Sequence, residues 1–168
     1  RGVLIGGPGR DIIYGEDGND HITGGDDTDI MIGGSGNDIL QSGTGNDIII
    51  DGDGNDEMKG DQGGVTIFLG PGADRVWPEE GDDTVYLFND GVRDIIRCDD
   101  TDDARGRETQ GRNDRVIYIG AKDPLDVIWP TCEKVYSIDH FPINWPYIGF
   151  SGELIASFNP YAYFLGPK

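Results

Sequence analysis

A nine-residue period, kept without interruption through nine units, constrains this chain more than any other feature. The units begin at residues 6, 15, 24, 33, 42, 51, 60, 69 and 78. Their sixth positions are Asp11, Asp20, Asp29, Asp38, Asp47, Asp56, Val65, Asp74 and Asp83, so a single unit departs from aspartate. Their eighth positions are Ile13, Ile22, Met31, Leu40, Ile49, Met58, Ile67, Val76 and Val85, apolar throughout. Acidic composition with 28 glycines in 168 residues is compatible with disorder, but a disordered tract has no reason to hold two columns in phase.

Each unit divides into two halves. The first is glycine-rich, as in Gly33-Gly34-Ser35-Gly36-Asn37-Asp38, and glycine opens backbone conformations at positive φ that turn carbonyls inward. The second, as in Ile39-Leu40-Gln41, is a short strand whose middle side chain points to one face. One unit buries nothing alone. Two units make an 18-residue coil with strands on opposite sides and turns at both ends. Stacked coils pair their strands in parallel about 4.8 Å apart, and the eighth positions form a narrow apolar ladder between two sheets. The fold expected is all-β: a right-handed parallel β-roll, or β-solenoid, of nine-residue half-turns over residues 1–87. An irregular β-rich region with an aromatic C-terminal cap is expected over 88–168.

The pattern resembles the RTX (hemolysin-type) calcium-binding repeat, Gly-Gly-x-Gly-x-Asp-x-U-x with U a large apolar residue. Gly33 to Gln41 and Gly6 to Tyr14 match it in full. Glu16 replaces the second glycine of one unit and Asp27 the third of another, and the units at 60, 69 and 78 are degenerate. The resemblance implies several Ca²⁺ ions held in the turns between stacked coils. Sixth-position carboxylates would ligate them with backbone carbonyls of Gly7, Gly9, Gly18, Gly25, Gly34, Gly36, Gly43, Gly45, Gly52 and Gly54. Ca²⁺ takes six to eight oxygens, which such turns supply. Turns on one edge recur every 18 residues, so one column holds Asp11, Asp29, Asp47, Val65 and Asp83, and the other Asp20, Asp38, Asp56 and Asp74. A full site needs two consecutive aspartates, which predicts about five: 11/29, 29/47, 20/38, 38/56 and 56/74. Val65 has no ligand to offer, so calcium is expected to be missing between Asp47 and Val65. Taken singly, each aspartate could instead be a turn residue capping its own backbone; the phase of the repeat favours the ion.

Charge supports the same reading. With 32 acidic against 13 basic residues the formal charge is −19, which disfavours a nucleic-acid partner and an anionic membrane surface. No stretch is long and apolar enough to span a bilayer, and no signal peptide is visible at Arg1. The resemblance implies a secreted or cell-surface protein. In that setting Cys98 and Cys132, the only possible intrachain pair, favour a disulfide, with two buried free thiols as the alternative. The bond would close a loop worth roughly 3–4 kcal/mol in the chain-entropy model.

Past Tyr86 the period breaks. Asp94-Ile95-Ile96 and Asp114-Arg115-Val116-Ile117 echo the second half of a unit, and the charged segment 99–115 reads as an exposed loop between strands of a continued roll or sheet. Ten of the sixteen aromatics lie between Trp129 and Phe164, as a cap on the open end of the roll or an interaction surface. At the other end, Gly2-Val3-Leu4-Ile5 reads as the strand of a preceding unit, so an upstream domain or a neighbouring subunit is expected to cover it. One open end and one aromatic end suit head-to-tail self-association.

No catalytic constellation stands out. His21 sits at a seventh position, facing solvent, and the Ser137, Asp139, His140 grouping lacks a nucleophile elbow. The expectation is a non-enzymatic structural protein of an extracellular fibre, sheath or adhesive layer. The alternatives are a calcium-dependent C-terminal secretion and folding module of a larger secreted enzyme or toxin, and a glycan- or ligand-binding module.

Overall fold

A computed structural model describes residues 1–98, 113–132 and 134–138. Within them the chain forms fourteen strands and no helix. The strands are β1 (Val3–Pro8), β2 (Ile12–Tyr14), β3 (His21–Asp26), β4 (Ile30–Ser35), β5 (Ile39–Thr44), β6 (Ile48–Asp53), β7 (Glu57–Lys59), β8 (Thr66–Phe68), β9 (Arg75–Trp77), β10 (Thr84–Phe88), β11 (Ile95–Ile96), β12 (Arg115–Ile119), β13 (Val127–Ile128) and β14 (Lys134–Ile138). Odd-numbered strands build one seven-stranded parallel sheet and even-numbered strands the other. Successive strands therefore alternate between two facing sheets, the topology of a β-solenoid with two strands per coil.

The register follows the repeat. Val3 pairs with His21, His21 with Ile39, Ile39 with Glu57 and Glu57 with Arg75 on one side. Ile12, Ile30, Ile48, Thr66 and Thr84 align on the other. Both sheets continue past the last full unit. Ile95 pairs with Arg75 and Thr84 with Arg115, so the echoes at Asp94 and Asp114 form β11 and β12. Asp114, which the sequence places in a charged loop with residues 99–115, is fully buried in the roll. Most of that loop, 99–112, lies outside the described residues, as do all the aromatics of the expected cap except Trp129 and Tyr136.

Eighth-position side chains make the core. Ile22, Met31, Leu40, Ile49, Met58, Ile67 and Val76 have no measurable exposure, and Ile96 and Val116 continue the line. Cys98 and Cys132 are joined in a disulfide at the end of this core and tie the chain beyond β11 to the chain beyond β13.

Two features depart from the sequence-based expectation. First, most early strands are six residues long, running from the seventh position through the third position of the next unit. The glycine pair is thus part of the ladder, with Gly25 opposite Gly43 and Gly34 opposite Gly52. Second, the even-numbered sheet carries an apolar cluster apart from the core: Ile32, Ile48, Ile50 and Phe68 are buried, with Ile30, Tyr86, Phe88 and Ile119 packed against them. Phe68 and Tyr86 stack with centroids 5.2 Å apart. Ile30, Ile32, Ile48, Ile50, Phe68 and Tyr86 flank the eighth positions in sequence, so strand alternation turns them away from the core.

Candidate metal sites

The turns between strands place the sixth-position aspartates in two vertical columns, because consecutive coils superimpose at a fixed register. Each carboxylate reaches to the coil before it. Oδ1 of Asp29 accepts the Asp11 backbone N–H at 2.8 Å, and Asp38 accepts from Asp20 at 2.7 Å. Asp47 accepts from Asp29, Asp56 from Asp38 and Asp74 from Asp56 in the same way. All five expected pairs are therefore neighbours in the structure.

The same geometry continues beyond them. Asp74 N–H donates to Asp94, Asp83 N–H to Asp114 and Asp94 N–H to Asp126, at 2.9, 3.0 and 2.9 Å. Sequence spacing concealed these three pairs, since their partners stand 20, 31 and 32 residues apart instead of 18. The signal that finds them is the half-unit itself, an aspartate directly before two β-formers, as in Asp126-Val127-Ile128.

The second carboxylate oxygen is the informative one. Oδ2 of Asp11, Asp20, Asp29, Asp38, Asp47, Asp51, Asp56 and Asp74 is buried with no hydrogen-bond partner. Leaving an ionised oxygen buried and unmatched is costly, so these atoms call for a proton or a cation. Where they face is visible at the first-position glycines. A Cβ built on Gly24 would lie 2.6 Å from both Asp29 Oδ2 and Ser42 O. One built on Gly6 would lie 2.7 Å from Asp11 Oδ2 and 2.6 Å from Gly24 O, and Gly33 faces Asp38 Oδ2 and Asp51 O in the same arrangement. Each such glycine leaves open a cradle lined by a carboxylate oxygen and a carbonyl oxygen of the next coil. An oxygen-only donor set without competing N–H groups suits a hard divalent cation such as Ca²⁺ over a transition metal.

The ten glycines implied as carbonyl donors have another trait in common. Gly7, Gly9, Gly18, Gly25, Gly34, Gly36, Gly43, Gly45, Gly52 and Gly54 all have φ between +100° and +150°. At Gly25 a Cβ would also come within 2.1 Å of the Gly7 carbonyl oxygen, so both backbone conformation and coil spacing exclude a side chain. Glu16 and Asp27, which stand where the repeat has glycine, adopt a left-handed conformation at φ 68° and 74°, as do Asp61 and Glu79 in the degenerate units at φ 54° and 68°.

Electrostatics agree with the cradles. Burial, opposed by the backbone N–H bonds (and at Asp47 also by Ser42) and reinforced by neighbouring carboxylates, raises Asp29, Asp38 and Asp47 above the usual range. The same causes carry Asp56 to about 6, Asp94 to about 7 and Asp74 to about 8. Asp51, at a first position where earlier units have glycine or serine, is pushed well above its ordinary value by its complete burial and by Asp74 and Asp56.

Val65 interrupts the first column. Its Cγ1 would stand 2.7 Å from a Cβ on Gly60, with Pro78 O beside it; the equivalent place in other units belongs to an aspartate Oδ2. The methyl joins the core cluster. A Val65→Asp substitution restores the oxygen and completes two aspartate pairs, with Asp47 before it and Asp83 after it, and the chain is expected to bind two additional Ca²⁺ ions, measured by equilibrium dialysis. Unchanged stoichiometry would show that the cradles are not where the ions sit.

Among the described residues His21 is exposed, as its seventh position requires. Asp139 and His140 lie outside them.

A family model for the RTX calcium-binding nonapeptide repeat, in four copies, matches residues 5–40, 32–67 and 51–85. Comparisons with curated proteins and with solved structures found no match.

Proposed function

Residues 5–85 belong to the RTX calcium-binding nonapeptide-repeat family, and from that premise we propose that this chain is a calcium-built structural domain that works outside the cell. The observation that carries the reading is the set of buried, partnerless Oδ2 atoms running through both columns. Such a fold needs cations to form. The metal-ligand linkage makes binding free energy into folding free energy. A protein of this kind stays unfolded where calcium is scarce and folds where it is abundant. The Cys98–Cys132 disulfide belongs to the same oxidising exterior.

The role we assign is mechanical: a subunit of a fibre, sheath or adhesive layer, assembled by self-association in the presence of Ca²⁺. The polar groups that converge in the turns of the described residues are side-chain carboxylates and backbone carbonyls, which hold ions. Val3 and Ile5 on β1, 75% and 71% exposed, offer an apolar surface of the kind that associates.

Light scattering after size-exclusion chromatography tests the assembly. Oligomers or filaments are expected in millimolar-range calcium, and chelator should dissolve them. A monomer at every calcium level would sink the assembly role while leaving calcium-dependent folding intact.

A further inference from the structure

Asp51 breaks the rule that the first position of a unit carries no carboxylate, and it does so at one place in the roll. Its side chain is fully buried. Oδ1 accepts two backbone N–H bonds, from Gly52 and from Gly70 of the next coil, both at 2.7 Å. Oδ2 has no donor, and neither does Oδ2 of Asp56 or of Asp74. One carboxylate oxygen from each of the three residues lies within 4.8 Å of the other two. Oxygens at about 2.3–2.6 Å from a shared Ca²⁺ can stand up to about 5 Å apart, so the three fit one coordination sphere. The cradles at Gly6, Gly24 and Gly33 leave this space empty beside the glycine and present one carboxylate oxygen and one carbonyl to it.

We propose that Asp51 turns the gap between the coils of Asp56 and Asp74 into a three-carboxylate cation site, the tightest Ca²⁺ site of the roll. The inference rests on the calcium-built reading above and adds a ligand the repeat does not prescribe. More anionic ligands in a preformed cage raise affinity for a hard cation. The two N–H bonds to Oδ1 hold the carboxylate in place before the ion arrives, so little ordering remains to be done on binding. The third negative charge also shifts selectivity toward trivalent ions of similar radius, which gain more from each added anionic ligand than Ca²⁺ does.

Calcium titration of the full chain against a competing chromophoric chelator decides the matter. The wild type is expected to show one Ca²⁺ bound at least tenfold more tightly than the rest, and Tb³⁺ to displace that ion first. Asp51→Asn, which keeps the shape and removes the charge, should weaken this ion about tenfold or more while the other ions bind as before. Asp51→Gly, which restores the residue of earlier units, should do the same. A single uniform class of sites in the wild type overturns the inference whether or not either variant folds, and so does an Asp51→Asn titration identical to the wild type. Either result leaves the calcium-built reading standing. Failure of the wild-type chain to bind calcium at all would overturn both.

Discussion

In chelator at neutral pH the strand signal of the roll is expected to collapse, and added Ca²⁺ to restore it. The physical reason is the stacking of carboxylates in two columns. Two unit charges about 4.8 Å apart at an effective dielectric of ~20 repel by roughly 3 kcal/mol, and several such pairs occur in each column. The core is one side chain wide, and backbone ordering costs about 1–2 kcal/mol per residue. Protons should partly substitute for calcium, and the sign follows from the raised carboxyls. A group whose pKa is higher in the fold than in the unfolded chain contributes stability below the unfolded value near 4 and loses it as pH rises through the folded value. Those folded values are about 6 for Asp56, about 7 for Asp94 and about 8 for Asp74. The metal-free chain should therefore be most structured near pH 4 and lose structure steadily toward pH 8, whereas the calcium-loaded chain holds at pH 8. Circular dichroism across this range, with and without chelator, reads both curves. Chelated protein that keeps its strands at pH 8 would contradict the prediction.

Replacing Asp38 should have a large effect on the calcium-loaded roll. It sits mid-column, nearly without exposure. Its carboxylate bonds the Asp20 N–H and its own N–H bonds Asp56, so it borders two gaps at once. Asp38→Ala removes a ligand from both and strands the Asp20 N–H, which alone costs about 1–3 kcal/mol. The calcium concentration at half-folding should rise at least about tenfold, equivalent to roughly 1.4 kcal/mol, and two ions should be lost per chain. Asp38→Asn separates charge from shape. It keeps an oxygen for the Asp20 N–H but removes one repelling charge. It is expected to destabilise the calcium-loaded roll and to stabilise the chelated one. Opposite signs in the two conditions are the signature of a cation-balanced carboxylate. An exposed residue at the end of β6, one coil on, Asp53, serves as the control, and its replacement by Ala should move neither curve. If Asp38→Asn shifts both conditions in the same direction, the aspartate is an ordinary turn residue.

The repeat made much of this protein legible before any coordinates. A period of nine with apolar eighth positions can bury its side chains only by stacking, and the 18-residue register of the two sheets follows from it. The five aspartate pairs follow as well, because residues one coil apart in sequence are neighbours in space. Val65 could be read as a break because a missing carboxylate is visible in a column. Those inferences needed only the phase of the pattern.

Other features depend on contacts between coils that counting in nines does not reach. Asp94, Asp114 and Asp126 join the columns because the strands before them stay in register while the connecting segments change length; strand pairing tolerates insertions in the turns, and sequence counting does not. Ile32, Ile48, Ile50 and Phe68 read as strand residues in the sequence, yet form a cluster outside the core because the even-numbered sheet aligns them vertically. Nothing in the repeat marks Asp51, which stands at a first position among many other acidic residues. Only the stacking of its coil against the next brings it to Asp56 and Asp74 and leaves its Oδ2 buried without a donor. The chain's own order specifies which residues share a column; the distance between coils specifies which of their oxygens meet.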